Sequence, residues 1–367
     1  MLSSMNGNDL FSNGNFLSEA ALQHRLAHCE KLLAKGEYTA ELWQQHGYYL
    51  ARLERYAEAI ASYKKSLFID PQDAKAWCNY ASALAAAGQP QEAVDAYDHA
   101  LNLAPGYTNV WRRRGRVLYQ LGEYTQAIES YDYALTISPA DSRLWHAKGL
   151  AVYRLQQYDE AIACLHAAIA HAPGNREAYL ALARVFIDCH RHDEALSCVQ
   201  PWIVRGWNDA RLFDCYAYLL QQQGHDQIAL EYLEEAIFIK PKDANLWFHK
   251  GLILTRLNQY PEAHDAFREA LRRQANHADS WLALGIVLRQ LSEPEEAIAA
   301  FEKALAIIPS HPLAFFHQAG CYAVLGRHEW AEEHLRRALS LDAQNYLTKA
   351  QRDPVLSSFE PSEMLSS

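Results

Sequence analysis

Residues able to make or break bonds are scarce in this chain, and their spacing does not assemble a catalytic centre. Cys189-His190-Arg191-His192 is the one dense group of possible metal ligands, but adjacent ligands on a single turn do not close a tetrahedral shell. The chain has no HExxH helix, no Gly-rich phosphate loop and no nucleophile-and-base pattern. The reading is therefore no metal, no cofactor and no enzyme. Charge is the feature that stands out. Arg112, Arg113 and Arg116 fall within one helical turn, and the surrounding helix carries no acid. Guanidinium forks suit carboxylates, so the chemistry indicated is recognition of an anion.

The elements that must position those arginines are set by a repeat. Residues 108 to 141 carry Trp111, Gly115, Leu118, Ala127, Tyr131, Ala134 and Pro139, and these types return every 34 residues. Nine units run without insertion from 40 to 345, starting at Ala40, Ala74, Thr108, Ser142, Arg176, Ala210, Ala244, Ala278 and Pro312. The fourth place is aromatic in each, from Trp43 to Phe315; the eighth is Gly or Ala; the twentieth is Ala in all nine. Apolar residues recur at helical spacing in two runs split by a short turn such as Leu121-Gly122-Glu123-Tyr124. Two antiparallel helices need small residues where their backbones approach and a large one nearby to fill space. Pro71, Pro105, Pro139, Pro173, Pro241 and Pro309 then stop the second helix.

The flanks read differently. Residues 1–17 are rich in Ser, Asn and Gly and are expected to be disordered. Ser18 begins a cap helix within 18–39 that solvates the first unit. Unit five, 176–209, is atypical: Pro201 falls inside its second helix, Trp202 replaces a small residue, and Trp207 stands where Pro is usual. Residues 346–367 are expected to give a short terminal helix, broken at Asp353-Pro354, and a mobile tail.

Composition narrows the function classes. A net charge of -10 disfavours indiscriminate binding to nucleic acid or acidic membrane. Seven scattered cysteines without a CxxC pair read as free thiols in a reducing compartment. No basic, apolar leader opens the chain and no uncharged apolar run of about 18 residues occurs. The expectation is a cytoplasmic protein without a membrane span.

The aromatic, Gly/Ala, Ala, Tyr/Phe, Ala, Pro pattern at 34-residue spacing resembles the tetratricopeptide repeat family, over four-fifths of the chain. The resemblance implies an all-α, right-handed solenoid of helix-turn-helix units whose first helices line a concave groove. It also implies that places two, five, six and nine of each unit face that groove. On this basis Lys75, Asn79, Arg112, Arg113, Arg116, Arg143 and His146 form a positive strip for peptide binding. Tyr218, Phe248, His249, Phe316 and His317 give later units an aromatic and histidine wall, and Tyr218, His249 and His317, with Trp202 and Trp207, mark a second contact site. Members of the family that clamp carboxyl-terminal peptides take Lys, Asn, Asn, Lys and Arg from three first helices. Only Asn79 and Arg113 match that pattern here, with Gln44, Tyr48 and Asn109 at the other places.

The function expected is a non-enzymatic scaffold or assembly factor that holds a peptide or partner subunit, its bound segment acidic or carboxylate-ended. Alternatives are a regulatory or targeting subunit of an enzyme complex, a co-chaperone-like binder of carboxyl-terminal peptides, and a helical-repeat RNA binder. Charge argues against the last, and self-association through exposed solenoid ends stays open.

Overall fold

The computed structural model describes residues 18–362; the expected disorder of 1–17 lies outside them. The chain divides into two compact bodies, Met1–His190 and Arg191–Ser367, and the division falls between the two helices of unit five. The described residues hold nineteen α-helices and no strand.

In the N-terminal body, α1 (Glu19–Ala34) precedes four helix pairs: α2 (Ala40–Arg52) with α3 (Tyr56–Ile69), α4 (Ala74–Ala86) with α5 (Pro90–Leu103), α6 (Thr108–Leu121) with α7 (Tyr124–Ile137), and α8 (Ser142–Arg154) with α9 (Tyr158–His171). It ends with α10 (Arg176–Asp188). The C-terminal body opens with α11 (His192–Val204). Four pairs follow: α12 (Ala210–Gln222) with α13 (Asp226–Ile239), α14 (Ala244–Arg256) with α15 (Tyr260–Arg273), α16 (Ala278–Gln290) with α17 (Pro294–Ile307), and α18 (Pro312–Val324) with α19 (His328–Arg352). Each first helix starts on the residue that opens its 34-residue unit.

Local chemistry explains these starts and stops. Short polar side chains cap six of the nine first helices: Asp73 Oδ1 accepts from the N–H of Lys75 at 2.8 Å and of Ala76 at 3.1 Å, and Thr39, Asp141, Asn175, Asp209 and Asp243 act alike. The second helices have no such cap. They are launched by the turn, whose fifteenth place is left-handed in every unit: Gly88, Gly122, Gly224 and Gly326, but also Glu54, Gln156, His190, Asn258 and Ser292 at φ between 57° and 63°.

Packing explains the invariant small places. All nine place-twenty alanines, Ala59 to Ala331, are 0% exposed. A Cβ built on Gly115 would lie 2.7 Å from the Tyr131 ring, and one on Gly251 or Gly285 would lie 2.5 Å from Phe267 or Phe301. At these three places the facing ring leaves no room for a Cβ. In the N-terminal body consecutive first helices touch, from α2–α4 to α8–α10, while no two second helices come as close. First helices therefore line the inner face of that body, and the contacts of α14 with α16 and α16 with α18 do the same in the other.

Unit five matches its reading and the tail differs from its own. α11 runs through Pro201 as one helix and ends at Gly206, φ 73°. The C-terminal tail is packed as far as it is described. α19 bends at Asp342, and Asp353 then caps the 3-10 turn Leu356–Phe359 through the N–H groups of Val355 and Leu356. Leu356 is fully buried with Tyr346 and Ala350, and the Phe359 ring lies tilted against His328 at 5.7 Å. Burial of that leucine at the end of the last unit holds down a stretch whose composition reads as loose.

Candidate functional site

On the inner face of the N-terminal body, α6 buries Val110, Gly115, Val117 and Leu118. That orientation turns Arg112, Arg113 and Arg116 toward α4 and α8. Arg114, one step round the helix, behaves otherwise: its Nε donates to Asp98 of the preceding unit at 2.6 Å and its Nη1 to Ser130 of its own unit at 2.7 Å, a structural tie between the two. Among the described residues, no acid stands within 4.0 Å of Arg112, Arg113 or Arg116. Arg113 Nη1 donates to Ser82 Oγ at 2.8 Å. Ser82 spends its one proton on the Cys78 carbonyl, so the Tyr97 hydroxyl, 2.9 Å away, donates to it as well. The Nε atoms of Arg112 and Arg113 are buried without a partner. Burial, then the neighbouring charges of Arg143, Arg113 and Arg116, hold the Arg112 guanidinium below its ordinary pKa, with Asp141 opposing. Three like charges gathered without a counterion form a site that gains from receiving an anion.

The other strip residues contribute less charge. Arg143 is paired with Asp141 at 2.9 Å and is 73% exposed. Burial lowers the pKa of His146, with Glu177 opposing, so the ring is neutral near pH 7. Lys75 is exposed in the first turn of α4, and Asn79 sits half-buried one turn further along.

The residues of the second contact site do not gather. Trp202 is 7% exposed and meets Trp207 edge-on at 5.8 Å, so it fills the gap at its repeat place and offers no surface. Phe316 is buried against Tyr346. His317 lies over Phe301 and takes a short hydrogen bond from Arg289; burial, then Arg289 and Lys349, push its pKa down to about 3. Tyr218 and His249 alone share a cavity, where His249 Nδ1 lies 2.6 Å from Asp214 Oδ1.

Several residues with a part in the repeat geometry escape a search for composition. The place-four Trp does more than fill space: the indole N–H groups of Trp77, Trp111 and Trp145 donate to the carbonyls of Pro71, Pro105 and Pro139 at 2.9, 2.9 and 2.7 Å. Trp247 and Trp281 do the same with Pro241 and Ala275. Place seven forms a ladder of cations onto the preceding unit, with Lys148 on Asp132 and Lys250 on Glu234 alongside Arg114 on Asp98. A constant separation of 16 residues was the signal that marks it.

Among the described residues, no group of three or more His, Cys, Asp or Glu could hold a metal ion. Burial pushes the thiols of Cys164, Cys198 and Cys321 up to about 11, which keeps them protonated and unreactive. No helix among the described residues is long and apolar enough to cross a membrane.

Comparison with known proteins agrees with this geometry. The family described as cilia and flagella-associated protein 70 C-terminal domain matches residues 17–280, and a tetratricopeptide repeat model matches 252–312. A tetratricopeptide repeat protein from Parabacteroides merdae ATCC 43184 superposes with a TM-score of 0.57 at 21% identity, over 68% of this chain and 98% of that one. A chain of the APC/C hetero-tetramer Cut9-Hcn1 gives 0.57 at 16% identity, over 98% of this chain and 84% of that one. At such identities the likeness is one of fold. The curated proteins contain no match.

Proposed function

Because the chain belongs to the tetratricopeptide repeat family, through the group named for the C-terminal domain of cilia and flagella-associated protein 70, we propose that it is a protein-binding scaffold whose N-terminal body receives an acidic segment of a partner. The observation that carries this reading is the set Arg112, Arg113 and Arg116, held on one face of α6 without an acidic partner. A partner carboxylate would supply the missing counter-charge and accept from donors whose desolvation costs about 1–3 kcal/mol each when unpaired. Arg113 is pre-positioned by Ser82 and Tyr97, so less side-chain freedom is lost on binding. The segment supplies carboxylates along its length or at its end, and both classes meet the same guanidinium face.

The test is a titration of the full chain with a fluorescent hexaglutamate peptide and with its hexaglutamine counterpart, at low and physiological salt. Saturable, salt-sensitive binding of the first alone, lost in the Arg112/Arg113/Arg116→Glu variant, supports the reading. Equal binding by wild type and variant would sink it. The Arg114→Glu variant is the control, since its effect falls on stability through Asp98 and Ser130.

A further inference from the structure

We propose that a cavity in the C-terminal body takes the side chain of a lysine from a partner protein, at a site independent of the arginine face. α12 and α14 do not come as close as α14 and α16 do, and the gap is a cavity of about 130 Å³. Its floor is Ala217, Leu233 and Ile253, and its polar lining is Asp214, Gln221 and His249. Tyr218, 38% exposed, and Leu252, 37% exposed, stand at the rim.

Three features select the occupant. Asp214 is the one full negative charge in the lining, so the guest is cationic. The apolar floor requires a hydrocarbon stem, and the volume holds roughly four water-sized groups at ~30 Å³ each, which fits an unbranched chain. The third feature separates lysine from arginine. A carboxylate only accepts, so His249 donates its Nδ1 proton to Asp214 Oδ1 at 2.6 Å. With that oxygen engaged, the two-pronged docking of a guanidinium on both oxygens is disfavoured, whereas an ammonium is a point charge that needs only Oδ2. Tyr218 at the rim adds a ring face for the cation.

The probe is Nα-acetyl-lysine N-methylamide, with the norleucine and arginine analogues as comparators, titrated into the full chain and followed by ligand-detected NMR. The lysine analogue is expected to saturate, with the norleucine analogue at least about tenfold weaker and the arginine analogue also weaker than lysine. Asp214→Asn should abolish the preference for lysine over norleucine. Leu252→Lys, at an exposed rim position that leaves the acid untouched, should block the probe with a resident ammonium. Equal binding of lysine and norleucine analogues overturns the assignment. Lysine binding that survives Asp214→Asn overturns it too, as does the absence of saturable binding by any of the three.

Discussion

The inner faces of the two bodies use the same repeat places for opposite chemistry. Place five is Arg112 in the N-terminal body and Asp214 in the C-terminal one; place six is Arg113 and His249; place nine is Arg116 and Tyr218 or Leu252. In the first body like charges face one another without an acid in contact, and in the second Asp214 already has a companion in His249. The repeat does not fix the residue type at these places, which hold arginine in one unit and core aromatics such as Phe316 in another.

The sharpest way to break the contrast is to reverse it. Replacing Arg112, Arg113 and Arg116 by Glu should weaken acidic-peptide binding by at least about a hundredfold, since each charged hydrogen bond contributes roughly 1.5–3 kcal/mol. The melting temperature should stay close to wild type, because none of the three arginines is tied to an acid in the folded chain and Arg112 is held, chiefly by burial and then by its neighbours' charge, in a form that disfavours its cation. Unfolding of the N-terminal body would show that the cluster is structural instead.

The cores differ as well, in how tightly glycine is enforced. A Cβ on Gly251 would sit 2.5 Å from the Phe267 ring, whereas one on Gly47 would sit 3.0 Å from Tyr63. Ala gains about 1 kcal/mol over Gly in a helix, so Gly47→Ala is expected to be near neutral. Gly251→Ala should cost a net of roughly 2 kcal/mol from overpacking, measured by urea denaturation. Adding Phe267→Leu should recover much of the loss, because Ala217 with Leu233 and Ala319 with Leu335 are that pair already.

Much of this was open to sequence reading, for a physical reason. Steric demands at places eight and twenty recur in nine copies, so the period, the helix starts and the small residues announce themselves. The arginine face was equally visible, because three charges on one helix need no tertiary contact to be noticed. Other features were hidden. The left-handed fifteenth place is glycine in only four units and is masked by Glu54, Gln156, His190, Asn258 and Ser292 in the rest. The pairing of His249 with Asp214 joins two first helices 35 residues apart, which no helical periodicity reveals. Trp202, assigned to a second contact site, is core, because its place is set by packing and not by residue type. Leu356 carried no signal, since the repeat has ended before it.

Protonation offers a further probe of the second body. His317 is held at about 3, against about 6.5 for an exposed histidine. Between those values the unfolded chain binds a proton that the folded chain refuses, so stability is complete above pH 6.5 and is lost as pH falls toward 3. From pH 7 to pH 5 this one residue should account for about 2 kcal/mol, at 1.36 kcal/mol per pH unit. His317→Gln keeps an acceptor for Arg289 and should flatten the slope by that amount; an unchanged slope would mean that the ring protonates freely in the folded protein.

The smallest expected effect compares the turns. Gln156 and Asn258 occupy the same left-handed place, one in each body, at φ 60° and 57°. A side chain in that conformation costs roughly 1–2 kcal/mol, but Asn relieves part of the cost through local hydrogen bonds. Glycine removes the cost while adding freedom to the unfolded chain. Gln156→Gly should therefore stabilise the protein by about 0.5–1 kcal/mol, and Asn258→Gly by less, as midpoint shifts in urea. Asn258 also accepts from the Tyr260 hydroxyl at 2.9 Å, an interaction glycine would forfeit, so its net change should be close to zero. If both substitutions destabilise, the turn is held by its side chains, and the left-handed place would be a consequence of those contacts rather than a demand of the helix pair.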